Sequence, residues 1–410
     1  MSKFRRRLMG LSALRQAKAD DFVRVEYIEN TSTAYINTGY KNGATSWRID
    51  AVISLTTANK GGYIIGSRGS SRYFQTIEVT TNPYFETKAH QTTVANSDYT
   101  AELNKKYHLV GTPKSLTVSY DDIDEETQET IEQSFTITNS GGLYSNGYEL
   151  AIFNLRQSVT AQNAFLGRLY GLKLYNASGT LIRDYIPMYQ ISTDTYGLWD
   201  RVEEKFYTSP NRVKFTGGAR VVADVNDNLY YIKNYISSND NINAYITLRQ
   251  IKNTDKIEFK IYKKRGNDSW FGSRAATPAR NHFAVNGYGG GINMNYGSNT
   301  PTRIINGVEN NKIYTIRIYD REVFLNGKKI YTWGTNTFTS NTSATLGKVD
   351  GINNLASNCN WYYFKWWNVN EDLVYDLIPV QSVDSGKYGM FDKVSLVFHP
   401  SNGSANFIGG

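Results

Sequence analysis

The feature that most constrains this chain is a duplication. Residues 181–218 read LIRDYIPMYQISTDTYGLWDRVEEKFYTSPNRVKFTGG, and residues 373–410 read LVYDLIPVQSVDSGKYGMFDKVSLVFHPSNGSANFIGG. The two align without a gap at one offset of 192 residues. That offset matches Asp184 with Asp376, Pro187 with Pro379, Tyr196 with Tyr388, Gly197 with Gly389, Asp200 with Asp392, Phe215 with Phe407 and Gly218 with Gly410. Upstream, YGLKLYN at 170–176 faces YYFKWWN at 362–368. An internal repeat is read first because it says how often one folding unit is used. Two copies mean tandem domains, not a solenoid, and 410 residues suit two units of ordinary size. The expected organisation is an arm over 1–20, a first domain over 21–218 and a second over 219–410. Residues 219–228 are either a linker or the first strand of the second domain.

Within each copy the local pattern is that of strands. Val23-Arg24-Val25-Glu26-Tyr27-Ile28 is a nearly strict alternation, and short β-prone runs follow at 47–55, 73–79, 107–110, 116–120, 135–137 and 148–153. Turn pairs such as Asn42-Gly43, Gly61-Gly62, Asn146-Gly147 and Asn326-Gly327 separate such runs. Tyr is abundant, at 31 residues, and favours half-buried pleated surfaces. Many short strands at regular spacing predict an all-β antiparallel sandwich or barrel. No segment after Ala19 holds a helical period, and no run is long and apolar enough to span a membrane.

Charge is concentrated at the start. Lys3, Arg5, Arg6, Arg7, Arg15 and Lys18 precede the first acid, Asp20, and carry most of the formal net charge of +8. The body is therefore close to neutral, which argues against a specific nucleic-acid-binding surface. Phe4, Leu8, Leu11 and Leu14 recur at helical spacing, with Arg5, Arg6 and Arg7 around them. A signal peptide, a membrane-surface or nucleic-acid-binding helix and a solvated tail are all open readings. The preferred one is a short basic helix or arm that docks on a partner, because its apolar stripe has no folded surface of its own to cover. The single cysteine, Cys359, excludes an intrachain disulfide.

The opening EYIENTSTAYINTGY, the hairpin Tyr319-Asp320-Arg321-Glu322-Val323-Phe324-Leu325-Asn326-Gly327-Lys328-Lys329, and the closing cassette ending in FTGG resemble concanavalin A-like, laminin-G-type jelly rolls. Such domains occur in virion proteins of tailed phages of gut Bacteroidales, including crAss-like phages, and in surface proteins of their hosts. The resemblance covers Val23 to Gly410 as two copies and implies two tandem jelly-roll sandwiches behind an N-terminal segment. It further implies a non-enzymatic virion protein, a head fibre, decoration or tail fibre, assembled in the host cytoplasm. Its arm would bind other virion proteins, the chain would form a homo-oligomer with a trimer favoured, and the jelly rolls would serve assembly or attachment to a host surface glycan. The alternative is a glycan-binding or glycan-active surface protein of a gut bacterium.

Chemistry-bearing motifs are few. A glycosidase needs two carboxylates flanking the scissile bond, and no E-x-D-x-x-E strand occurs. The densest acids, Asp121, Asp122, Asp124, Glu125, Glu126, Glu129 and Glu132, read as a solvated hairpin tip. His90, His108, His282 and His399 are too scattered for a metal cluster, and neither H-E-x-x-H nor G-x-S-x-G is present. Neither a cofactor nor a catalytic residue is expected. The repeated Asp184, Asp200, Asp376 and Asp392 read as turn and cap residues that bond backbone amides. The best candidates for ligand contact are Trp361, Tyr363 and Trp367, which strict alternation places with Lys365 on one face of a strand, opposite Tyr362, Phe364 and Trp366. That face is either covered, a subunit interface, or a platform on which sugar rings stack.

Overall fold

The computed structural model describes residues 21–410 apart from 42–46, 58–61, 69–72, 81–83, 90–92, 113, 124–129, 139–147, 158–159, 163, 240, 242, 265–267, 274–281, 289–290, 299–301, 335–336, 341 and 350–356. The basic arm, with Phe4, Arg5, Arg6, Arg7, Leu8, Leu11 and Leu14, lies outside the described residues, and so does His90. All regular structure among the described residues is β. The chain divides in sequence between Arg220 and Val221 into two compact units.

Each unit is a two-sheet, mainly antiparallel sandwich of jelly-roll kind, in which runs of hairpin-linked strands are joined at the sheet centre by pairings between strands distant in sequence, such as Arg48–Leu55 with Gly167–Tyr175. In the first unit the longer sheet runs, in spatial order, through Thr130–Thr138, Ser115–Ile123, Tyr107–Thr112, Arg48–Leu55, Gly167–Tyr175, Leu181–Gln190, Thr195–Asp200 and Lys205–Tyr207. The facing sheet includes Gly62–Arg68, Tyr73–Val79, Tyr84–Ala89 and Thr93–Thr100. Ile49, Ile53, Leu109, Leu169, Leu172, Leu174 and Tyr185 from the longer sheet pack with Ile65, Ile77 and Phe85 from the other to form the core.

The second unit repeats this plan. Its longer sheet runs through Val221–Ala223, Leu229–Ile232, Leu373–Ser382, Cys359–Trp367, Lys256–Lys263, Lys312–Tyr319, Glu322–Leu325 and Lys328–Thr332. The segment following the boundary is thus a strand of the second sandwich, paired with Leu229–Ile232. The opening also recurs despite its different sequence. Ile28–Asn30 pairs both Gly167–Tyr175 and Thr216–Gly217, as Ile236–Ser237 pairs both Cys359–Trp367 and Ile408–Gly409.

The repeated residues of the closing cassette have structural jobs. Asp200 Oδ1 accepts the backbone N–H of Asp184 at 3.0 Å and of Val202 at 3.0 Å. Asp392 Oδ1 accepts those of Asp376 at 2.9 Å and Val394 at 3.1 Å. Both carboxylates are buried and tie a tight turn to the preceding strand. A Cβ on Gly197 would stand 2.3 Å from the Tyr207 carbonyl oxygen, and one on Gly389 would stand 2.4 Å from that of His399. Only glycine permits that approach.

The hairpin expected at 116–120 and 135–137 is longer than its apolar centres suggested. Ser115–Ile123 and Thr130–Thr138 pair continuously from Ser115↔Thr138 to Ile123↔Thr130. Asp121, Asp122 and Glu132 are therefore strand residues, a correction to their reading as part of the tip; residues 124–129 lie outside the described set.

Candidate functional site

The strand Cys359–Trp367 lies at the centre of the second unit's longer sheet, between Lys256–Lys263 and Leu373–Ser382. Its pairing with Lys256–Lys263 is regular from Trp367↔Lys256 to Tyr363↔Lys260, and then shifts so that Trp361 faces Ile261. Tyr362 is the extra residue of a β-bulge, which reverses the face on which all residues before it point. Trp361 is accordingly 0% exposed and packs in the core with Phe364 and Trp366. Its ring centroid lies 5.4 Å from that of Phe259. This corrects the expectation that Trp361 shares the outer face with Tyr363 and Trp367. The first unit has the same device: its register shifts between Leu169 and Gly171, leaving Tyr170 extra and Leu169 buried. The sequence signal for it was the alignment itself, since Leu169 matches Trp361 and both are strongly apolar.

Tyr363, Lys365 and Trp367 remain half-buried on the face turned away from the facing sheet. Three strands contribute to that surface. Lys256 Nζ sits 4.8 Å from the Trp367 ring centroid and 5.1 Å from that of Tyr319, so one ammonium bridges two aromatic rings on neighbouring strands. Tyr319 is 40% exposed, and its hydroxyl donates to Glu371 at 3.1 Å. One row along, the Tyr363 hydroxyl donates to Glu258 Oε1 at 2.9 Å. Burial, and next the neighbouring Glu258 carboxylate, raise the Tyr363 phenol to about 12, so it stays a donor at any physiological pH. Lys365 Nζ lies 3.7 Å from Asp376, and the Arg317 guanidinium lies over Phe324 at 4.5 Å. The result is a row of rings held upright by cations, beside fixed hydrogen-bonding groups. Sequence reasoning missed Lys256, Glu258 and Tyr319, although the strict alternation of Lys256–Lys263 was there to be read.

The same cation-over-ring pair occurs in the first unit, where Arg48 stands 5.4 Å from the Tyr175 ring and pairs with Asp50 at 2.8 Å. The register equates Arg48 with Lys256 and Tyr175 with Trp367. Among the described residues no group of three His, Cys, Asp or Glu side chains could hold a metal ion, and no helix is long and apolar enough to cross a membrane. Cys359 is buried with its Sγ 2.8 Å from Ser357 Oγ, and burial raises its thiol far above the ordinary range, which leaves it an inert thiol.

No family model matches the sequence, and no curated protein does. Among solved structures, similarity extends to domains LG4-5 of the mouse laminin alpha1 chain, at 10% identity and a TM-score of 0.30, over 87% of this chain and 90% of that one. The LG1-3 region of the laminin alpha2 chain gives 11% identity and a TM-score of 0.29, over 90% of this chain and 66% of that one. A Bacteroides ovatus protein considered to bind carbohydrate gives 11% and 0.31, over 91% and 99%. Likenesses this distant carry no argument about function.

Proposed function

We propose that this chain is a non-catalytic glycan-binding protein whose second unit contacts sugar through Trp367, Tyr319 and Tyr363. The observation that carries this reading is the row Trp367–Lys256–Tyr319, with Glu258 and Tyr363 beside it, on the sheet face away from the core. Pyranose rings present apolar C–H faces that stack on aromatic rings, and their hydroxyls need donors and acceptors at fixed places. Here the rings are oriented by cation–π contacts, so little ordering entropy is lost on binding.

A polysaccharide panel that includes neutral and uronic-acid-containing glycans, followed by titration calorimetry on the best binder, tests the proposal. Trp367→Ala and Tyr319→Ala should each weaken binding about tenfold or more, as loss of a stacked aromatic anchor does, with the fold unchanged by circular dichroism. Binding indifferent to both substitutions would overturn the assignment of the face. Release of reducing ends from any polysaccharide would overturn the non-catalytic reading.

The virion setting implied by the resemblance we retain as a proposal about the arm alone. In it, residues 1–20 attach the chain to other virion proteins, and the glycan is one on the host surface.

A further inference from the structure

The longer sheet of the first unit ends in the nine-residue strand Thr130–Thr138, TIEQSFTIT. Its inner side pairs with Ser115–Ile123 through nine consecutive residues without a register shift, and no other strand among the described residues pairs with it. An edge of this kind is normally blunted by lysine, proline, a bulge or shortness. The equivalent edge of the second unit, Lys328–Thr332, has such protection: it is five residues long, opens with Lys328-Lys329, and joins its neighbour through a register shift. Thr130–Thr138 has neither lysine nor proline, and Glu132 is its one charged residue.

We propose that Thr130–Thr138 is a dimerisation edge that pairs antiparallel with the same strand of a second copy of this chain, about a two-fold axis at Ser134. The strand is self-complementary in that register. Full overlap sets Thr130 against Thr138, Ile131 against Ile137, Glu132 against Thr136 and Gln133 against Phe135. No charge meets a like charge, whereas sliding the axis to Glu132 would oppose two carboxylates, which is unfavourable across a ladder. The axis runs perpendicular to the sheet and so keeps faces together. Ile131, Phe135 and Ile137, the half-buried and buried residues of the strand, share the inner face with the exposed Gln133, and the exposed Glu132, Ser134 and Thr136 stay outside. A two-fold contact uses up the edge on both copies, so assembly closes at the dimer. The trimer implied by the resemblance is not what this edge would build.

Sedimentation equilibrium of the full chain should give a dimer. Thr136→Glu places a carboxylate opposite Glu132 twice in each dimer and should raise the dissociation constant about tenfold or more. Thr136→Lys, at the same exposed position, should leave the dimer intact or tighten it. Ser134→Cys should form a disulfide-linked dimer under mild oxidation and Thr130→Cys should not, since only the residue on the axis meets its own copy. Circular dichroism of each variant separates loss of association from loss of fold. A monomer or trimer as the main species, or equal effects of the two charged substitutions at Thr136, would overturn the proposal.

Discussion

Lys263 shows how one side chain can be tolerated in two ways by one fold. The register equates it with Leu55: Leu55 pairs with Gly167, and Lys263 pairs with Cys359. Lys263 is 0% exposed, and its ammonium is satisfied by the Val308 carbonyl at 3.2 Å and Asn310 Oδ1 at 2.6 Å. Burial holds its amine below the ordinary lysine range, and the Asp268 carboxylate offsets this in part. In the unfolded chain the amine keeps a value near about 10.4. Between the lowered folded value and that one, the unfolded state binds more protons, so stability rises with pH across the window and the penalty is largest below it. Lys263→Met should therefore stabilise the second unit by about 1 kcal/mol at neutral pH and remove the rise. Melting temperatures measured from neutral pH upward check both expectations. The duplicated aspartates argue in the opposite direction. Asp392→Ala strips the partner from the buried Asp376 amide and from the part-buried amides of Val394 and Ser395 and should cost about 2–3 kcal/mol in urea unfolding, with no effect on glycan binding. A loss of binding with stability intact would overturn their reading as purely structural residues.

At the scale of the element, the bulge decides which aromatic side chains of Cys359–Trp367 belong to the core. Trp361→Ala should cost about 3–5 kcal/mol, as removal of a buried tryptophan does. Trp367→Ala, six residues along the same strand, should cost less than about 1 kcal/mol in stability and show its effect in binding instead. Chemical denaturation of the two variants reads the difference directly. The alternation of a strand is legible in a sequence, but an inserted residue is not legible in that strand alone, because the shift is set by the register of the neighbouring strand; only the match of Trp361 with the apolar Leu169 hinted at it. The long hairpin Ser115–Ile123/Thr130–Thr138 was hidden for a related reason. Its outer part alternates Thr, Ser, Glu and Asp with few apolar residues, so the runs around Leu116 and Ile137 looked like the whole of it.

At the scale of the whole molecule, each unit has its own buried cluster, from Val25 to Phe215 in one and from Ile236 to Phe407 in the other. Fragments 21–220 and 221–410 should accordingly each unfold in a single cooperative transition. The fragment 21–220 should retain the dimerisation edge, and 221–410 the aromatic face. Deleting residues 1–20 should leave both transitions in place and, if the arm attaches the chain to virion proteins, abolish cosedimentation with purified phage particles. Retained cosedimentation would rule the arm out as the anchor.

The duplication, the all-β class and the capping duty of Asp200 and Asp392 were determined by the sequence alone, whereas Asp184 and Asp376, also read as turn and cap residues, lie within strands and turn their carboxylates to Arg201 and to Lys365 and Lys393. Each is local or periodic information, and an exact repeat offset needs no coordinates to be seen. Only the tertiary structure decided that Trp361 belongs to the core, that Lys256 and Tyr319 join Trp367, and that Thr130–Thr138 has one strand partner among the described residues while the counterpart edge is guarded. Those facts depend on which strands lie side by side and in what register, and the pairing of residues far apart in the chain, as Lys256 with Trp367, leaves no periodic trace in either partner.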